Sequence, residues 1–311
     1  MRVDRHVGAA LLVVGCSLAA AGSLAEDRAV PSRACRELAH RVEAVAADAG
    51  ALELNAALFQ AADAGCVPVA RQLIAAGASL AARDRLGAMP LAHAARAGHS
   101  ALVELFLAQG AAVDARNLVG STALFGAAEN GQQPVVALLL AKGANPNLPG
   151  RSDVSPLAAA AYRGNDGAAA ELIAHGAKPD AIDATGKAPI VYAAARGFTA
   201  VVRRLLAAGV DARRPYGNDL TALMWAAGYE EGFGERDALD VIGLLIDAGA
   251  PIDAADNRGR TALMIAAEQG HAALVEALLA RGADRALTDK AGKRALDLAT
   301  TAGLRDLLSA R

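Results

Sequence analysis

Gly259-Arg260-Thr261-Ala262-Leu263-Met264-Ile265-Ala266-Ala267-Glu268-Gln269-Gly270-His271-Ala272-Ala273-Leu274-Val275-Glu276-Ala277-Leu278-Leu279-Ala280-Arg281-Gly282-Ala283-Asp284 reads as a tight turn, a short helix, a glycine stop, a second helix and another glycine stop. Gly270 and Gly282 stand where a chain leaves a helix. Neither helix alone is long or apolar enough to make a core. The stretch therefore predicts a unit that must stack on others like itself.

The chain holds such others. A Leu or Ile recurs at Leu58, Leu91, Leu124, Leu157, Ile190, Leu223, Leu263 and Leu296; every interval is 33 residues except the 40 between Leu223 and Leu263. Ala pairs follow these residues: Ala61-Ala62, Ala94-Ala95, Ala127-Ala128, Ala160-Ala161, Ala193-Ala194, Ala226-Ala227 and Ala266-Ala267. Glycine closes most first helices (Gly65, Gly98, Gly131, Gly164, Gly197, Gly270), and a second series closes the second helices from Gly77 to Gly282. Aromatic residues make up only 3% of the sequence, so the core must be built from Ala, Leu and Val, which suits closely stacked helices. The 31 glycines are spread as punctuation, not gathered in a linker. A formal net charge of −2 excludes the global basic field of a nucleic-acid binder.

The period and the motifs resemble the ankyrin repeat. The matching residues include Met89-Pro90-Leu91, Thr122-Ala123-Leu124, Ser155-Pro156-Leu157, Thr261-Ala262-Leu263, the Gly-His pairs Gly98-His99 and Gly270-His271, and Leu-Leu pairs such as Leu138-Leu139 and Leu278-Leu279. The resemblance covers about residues 52–309, and it implies an all-α repeat solenoid of helix-turn-helix units joined by β-hairpin loops, with seven repeats and a C-terminal half-repeat cap. The sequence departs from the family at the position after each plug residue, where a histidine usually ties hairpin to helix; Phe59, Ala92, Phe125, Ala158, Val191, Met224 and Met264 stand there, so hairpin stiffness is expected to come from packing. Asp153 and Asp219 replace the hairpin glycine in two units, which predicts irregular tips in the left-handed region. The longer interval places seven extra residues within Gly228–Asp237, a glycine-rich acidic stretch with Tyr229 and Phe233 that reads either as a partner contact or as a tolerated insertion.

Residues 1–25 read as an export signal: Arg2 and Arg5, then an uncharged run from Val7, then Ser23-Leu24-Ala25, with Glu26 opening the mature chain. Val13-Val14-Gly15-Cys16 resembles a lipobox, so lipidation of Cys16 is the competing reading. Residues 26–51 follow as an N-terminal capping helix, with Cys35, Leu38, Val42 and Val45 on one face, and residues 52–311 as the repeat domain. Export leaves Cys35 and Cys66 as a pair in an oxidising compartment; a disulfide is the preferred reading, and two small buried thiols the other. The location expected is periplasmic or secreted, with a lipid-anchored form as the alternative.

Catalysis finds no support in the sequence. There is no phosphate-binding glycine loop, nucleophile elbow or zinc spacing, and carboxylates such as Asp114, Asp183 and Asp256 sit singly at turns. No cofactor and no metal are expected, and His99 and His271 read as structural. What the resemblance implies is binding of another protein through the concave face of the stack, by a monomer, with no nucleic acid and no membrane span once the signal is cleaved. Carried over by register, the contacts are Arg85, Leu118, Val119 and Arg258 at hairpin tips and Arg96, Tyr162, Arg163, Arg196, Tyr229 and Glu268 at first-helix exits, with Phe233 in the insertion. Arg and Tyr are frequent among them, as at binding hot spots; a solvated face is the plainer reading. Trp225 and Tyr192 share one register, either as an aromatic strip on that face or as packing between units. The role expected is a non-enzymatic scaffold of the bacterial cell envelope, with an immunity or inhibitor protein, an accessory protein for an envelope enzyme, or a secreted effector as alternatives.

Overall fold

A computed structural model describes residues 32–45, 49–229 and 234–309; the export signal, Cys16 and Phe233 lie outside them. An N-terminal helix α1 (Arg33–Val45) is followed by paired helices. The first members are α2 (Ala51–Ala64), α4 (Pro90–Ala97), α6 (Ala123–Glu129), α8 (Pro156–Arg163), α10 (Pro189–Ala195), α12 (Ala222–Ala227), α14 (Ala262–Gln269) and α16 (Ala295–Leu298). The second members are α3 (Val67–Ala75), α5 (Ser100–Ala108), α7 (Gln133–Ala141), α9 (Asp166–Ala174), α11 (Thr199–Ala207), α13 (Glu235–Asp247), α15 (Ala272–Ala280) and α17 (Ala302–Ser309). First helices pack on first helices of neighbouring units and second on second, giving two helical layers with hairpin loops along one edge.

The layers follow from side-chain size. All fourteen paired alanines from Ala61-Ala62 to Ala266-Ala267 are fully buried, so the first helices meet across methyl groups and approach closely. Leu58, Leu124, Leu157, Ile190 and Leu223 are also fully buried and fill the space between units. The last plug, Leu296, is only half-buried; α16 has four residues, and Ala295 and Ala299 take the core positions instead, as suits a cap with one wet face.

Helix starts use two devices. Thr122, Ser155, Thr221 and Thr261 accept at their hydroxyls the amide three residues on, from Phe125, Ala158, Met224 and Met264 at 3.0–3.4 Å. Where Met89 and Ala188 stand instead, Pro90 and Pro189 open the helix and remove a donor that would otherwise need a partner. The closing glycines from Gly65 to Gly282 all have positive φ, as left-handed caps require.

Cys35 and Cys66 form a disulfide with their Cα atoms 5.3 Å apart. It fastens α1 to the first unit beside the buried Leu38 and Val42. The insertion is less of a loop than its composition suggested. Gly234 caps a helix, and Glu235, Arg236 and Asp237 already belong to α13, which has 13 residues where the other second helices from α3 to α15 have 9. Glu235 and Asp237 lie in its first turn, where the helix dipole favours them.

Candidate functional site: a cleft on the hairpin face

Hairpin stiffness comes from hydrogen bonds, not from packing alone as the missing histidines had suggested. Asp84, Asn117, Asp183, Asp256 and Asp289 occupy one register, and in each Oδ1 accepts the amides two and four residues on, at 2.7–3.1 Å. Neighbouring hairpins are also joined through backbone. The amides of Leu118, Ala184, Gly217, Asn257 and Lys290 donate to the carbonyls of Leu86, Ser152, Gly186, Asn218 and Arg258. Arg83 and Arg116 add staples: Arg83 donates to the Arg116 carbonyl at 2.8 Å, and Arg116 to that of Pro149 at 3.1 Å. In the two units without the hairpin glycine, Ser152 and Asp153, and Asn218 and Asp219, have φ between 54° and 63°. The second of these tips is flanked by the short strands β1 (Pro215–Tyr216) and β2 (Leu220–Thr221), paired antiparallel.

In two of these hairpins, those of Asp84 and Asp183, the second carboxylate oxygen reaches the first helix. His93 Nε2 lies 3.0 Å from Asp84 Oδ2, and its Nδ1 lies 2.9 Å from Asp63 Oδ1. The Tyr192 hydroxyl donates to Asp183. These bonds set the ionisation of the group. Burial works against the Asp183 carboxylate, but Tyr192, Thr185 and the Lys187 amide outweigh it and hold the carboxyl below its usual range. Asp84 is lowered in the same way, burial being opposed by the Ala88 amide and by His93. The Tyr192 hydroxyl is pushed well above its usual range, by burial first and by Asp183 second.

His93 and Tyr192 stand two residues after their plugs. At that register successive units carry His93, Gly126, Ala159, Tyr192, Trp225 and Ile265. Two consecutive units thus lack any sizeable side chain there, and their hairpins lack the carboxylate that would bind one, having Asn117 and Gly150. Over Ala159 this leaves a cleft of about 390 Å³. Phe125, Val154, Ala158 and Ala159 form its floor, Tyr162 and Tyr192 a wall, and Glu129, Arg151 and Arg163 its rim. A smaller cavity of about 170 Å³ adjoins it, sharing Phe125, Glu129 and Arg151 and adding His93, Arg96 and Val119. Gly150 belongs to this design: a Cβ there would stand 2.7 Å from the Phe125 ring.

Glu129 on α6 pairs with Arg151 on the hairpin, and the pair stands between the two cavities. Arg163 donates through Nε to the Glu129 carbonyl at 2.5 Å and, among the described residues, has no carboxylate within ion-pair range. Arg96 is 3.6 Å from Asp63. The Arg196 guanidinium lies 3.9 Å from the centre of the Tyr162 ring, and Tyr162 meets Tyr192 edge-on at 6.0 Å. The Lys187 ammonium stands 5.9 Å from the Tyr192 ring and 5.0 Å from the Trp225 ring, so aromatic groups run across three units.

The expected contact residues therefore fall into three sets. Arg96, Val119, Tyr162 and Arg163 line the two cavities, with Arg196 on the back of Tyr162. Arg85 and Leu118 lie beside them at the tips, Leu118 being 78% exposed. Tyr229, Arg258 and Glu268 lie elsewhere and are engaged internally: Tyr229 stacks on His271 at 4.2 Å, Arg258 pairs with Asp256, and Glu268 pairs with Arg260. Gly126, Ala159 and Gly150 carry no polar or aromatic group and give no binding signal of their own. The readable signal is the drop to Gly and Ala at a register that elsewhere holds His, Tyr, Trp and Ile.

Among the described residues no group of three His, Cys, Asp or Glu side chains could hold a metal, and no helix is long and apolar enough to cross a membrane. Family models described as ankyrin repeats match residues 57–149 and 157–234 (three copies) and 245–299 (many copies), and one described as a single ankyrin repeat matches residues 218–257.

Proposed function

Because the chain belongs to the ankyrin-repeat family, whose stacks generally mediate protein–protein interaction, we propose that it is a non-enzymatic scaffold of the bacterial cell envelope that binds one partner protein on its concave hairpin face. The observation that carries this reading is the clustering of Arg96, Tyr162, Arg163 and Arg196 around the cleft between α6 and α10, on hairpins fixed by hydrogen bonds. Such a face is ordered before a partner arrives, so little entropy is lost on binding.

The export signal read in residues 1–25 and the Cys35–Cys66 disulfide support an oxidising location outside the cytoplasm. N-terminal sequencing of the protein from a periplasmic extract is expected to begin at Glu26. A lipid-modified Cys16 at the N-terminus would assign the anchored form instead.

The binding face is tested by site-specific photo-crosslinking in cells that express the full chain. A photoreactive residue at Val119 or Arg163 should give a discrete adduct. One at Arg203, exposed on the second-helix layer, should not. Adducts only from Arg203, or from no position, overturn the proposal.

A further inference from the structure

We infer that the cleft over Ala159 receives an extended acidic segment of the partner, with one large apolar side chain in the pocket and carboxylates on either side of it. This rests on the concave-face reading and adds the chemistry of the occupant. The pocket is apolar at its floor, at Phe125, Val154, Ala158 and Ala159, and its volume of about 390 Å³ accommodates a phenylalanine or leucine side chain. The second cavity lies beside it along the stack, across the Glu129–Arg151 pair, and Val119, which lines that cavity, is 56% exposed at a hairpin tip beside Leu118. Two hollows side by side on neighbouring units fit an extended chain better than a compact ligand.

Charge selects the sign of the flanking residues. The Glu129 carboxylate is taken by Arg151, and Arg96 leans on Asp63 at 3.6 Å, whereas Arg163 at the rim has no carboxylate among the described residues. An incoming carboxylate meets Arg163 directly and can also exchange with Glu129 on Arg151. An incoming ammonium finds no unpaired carboxylate at the rim. The apolar pocket then supplies burial, and the arginines supply direction and encounter rate.

The same chain supplies a filled version of its own cleft. Ile265 occupies in its unit the register that Ala159 occupies here, above Glu268 as Ala159 is above Tyr162, so Ala159→Ile fills the pocket with a side chain the fold already tolerates. The test is fluorescence anisotropy of the purified protein with a labelled, end-blocked peptide in which one phenylalanine lies between pairs of glutamates. Binding is expected. Ala159→Ile and Arg163→Glu should each weaken it by about tenfold, as should replacing the phenylalanine by alanine. Unchanged thermal unfolding of Ala159→Ile verifies that its stack is intact, and Ala159→Val gives a second, smaller filling variant.

Absence of binding up to about 1 mM peptide overturns the inference. So does equal affinity for Ala159→Ile, or tighter binding of the peptide with lysines in place of glutamates. If sedimentation shows a dimer that Ala159→Ile dissociates, the occupant is a second copy of this chain and the inference falls. In each case crosslinking from Val119 and Arg163 still reports on the concave face, so the two readings fail separately.

Discussion

Asp183 shows how one side chain fixes a hairpin. It is buried, its Oδ1 holds the amides of Thr185 and Lys187, and its other oxygen holds the Tyr192 hydroxyl. Asn117 fills the same slot two repeats earlier and makes the same two amide contacts. Asp183→Asn is therefore expected to keep the hairpin and lose the charged acceptor, at about 1 kcal/mol, whereas Asp183→Ala leaves buried amides unpaired and costs about 1–3 kcal/mol. Since the folded carboxyl is lowered below its unfolded range of about 3.9, its contribution is present above about pH 4 and is lost as the pH falls through the folded value. Urea denaturation between about pH 5 and 2 should show a shallower loss of stability for Asp183→Asn than for the parent. Identical slopes would mean the carboxylate does not carry this pH dependence. The pattern was partly legible: Asp183 and Asp256 read as turn formers, but nothing in a linear sequence shows that the second oxygen reaches a helix nine residues on. Tyr192 therefore reads from the sequence as part of an aromatic strip or as packing between units, not as a hairpin tie.

At the scale of the element, α1 is the segment outside the repeat pattern. It is a helix of 13 residues with Cys35, Leu38 and Val42 buried, so its apolar contact with the first unit is narrow. The disulfide closes a 31-residue separation and confines the unfolded chain, which on the chain-entropy account stabilises by about 3–4 kcal/mol. Replacing both cysteines by serine is expected to lower the unfolding free energy of the first unit by about 2–4 kcal/mol. Hydrogen exchange should rise first in α1 and α2 and leave α8 and α10 unchanged. Uniform loss of protection along the stack would show that α1 supports the whole array. The spacing of Cys35, Leu38 and Val42 gave the helix in advance. The extension of α13 into the insertion was not readable, because Gly232 and Gly234 disguise a helix that begins one residue later.

For the whole molecule, stability is a sum over neighbouring units, since no unit closes a core alone. A plug in the middle of the stack touches two neighbours, and a plug at the end touches one. Leu124→Ala removes a fully buried side chain and is expected to cost about 2–5 kcal/mol. Leu296→Ala removes a half-buried one in the cap and should cost about 1 kcal/mol or less. Equilibrium urea unfolding of the two variants checks this, and equal losses would contradict a stack with a wet end. The two hollows obey the same logic at larger scale: they lie side by side because two adjacent units, and not one, carry small residues at the same register.

The sequence by itself determined the repeat, its period, the buried plugs and alanine pairs and the glycine caps. Each of these is a local or periodic constraint that every unit must satisfy to stack. Only the tertiary structure decided where the face is hollow, which arginine stands without a carboxylate, and which of the tip and helix residues are already occupied by one another. Those properties belong to contacts between units 33 residues apart, such as Glu129 with Arg151 across a hairpin or Arg196 over Tyr162, and a side chain's freedom depends on what the next unit places opposite it.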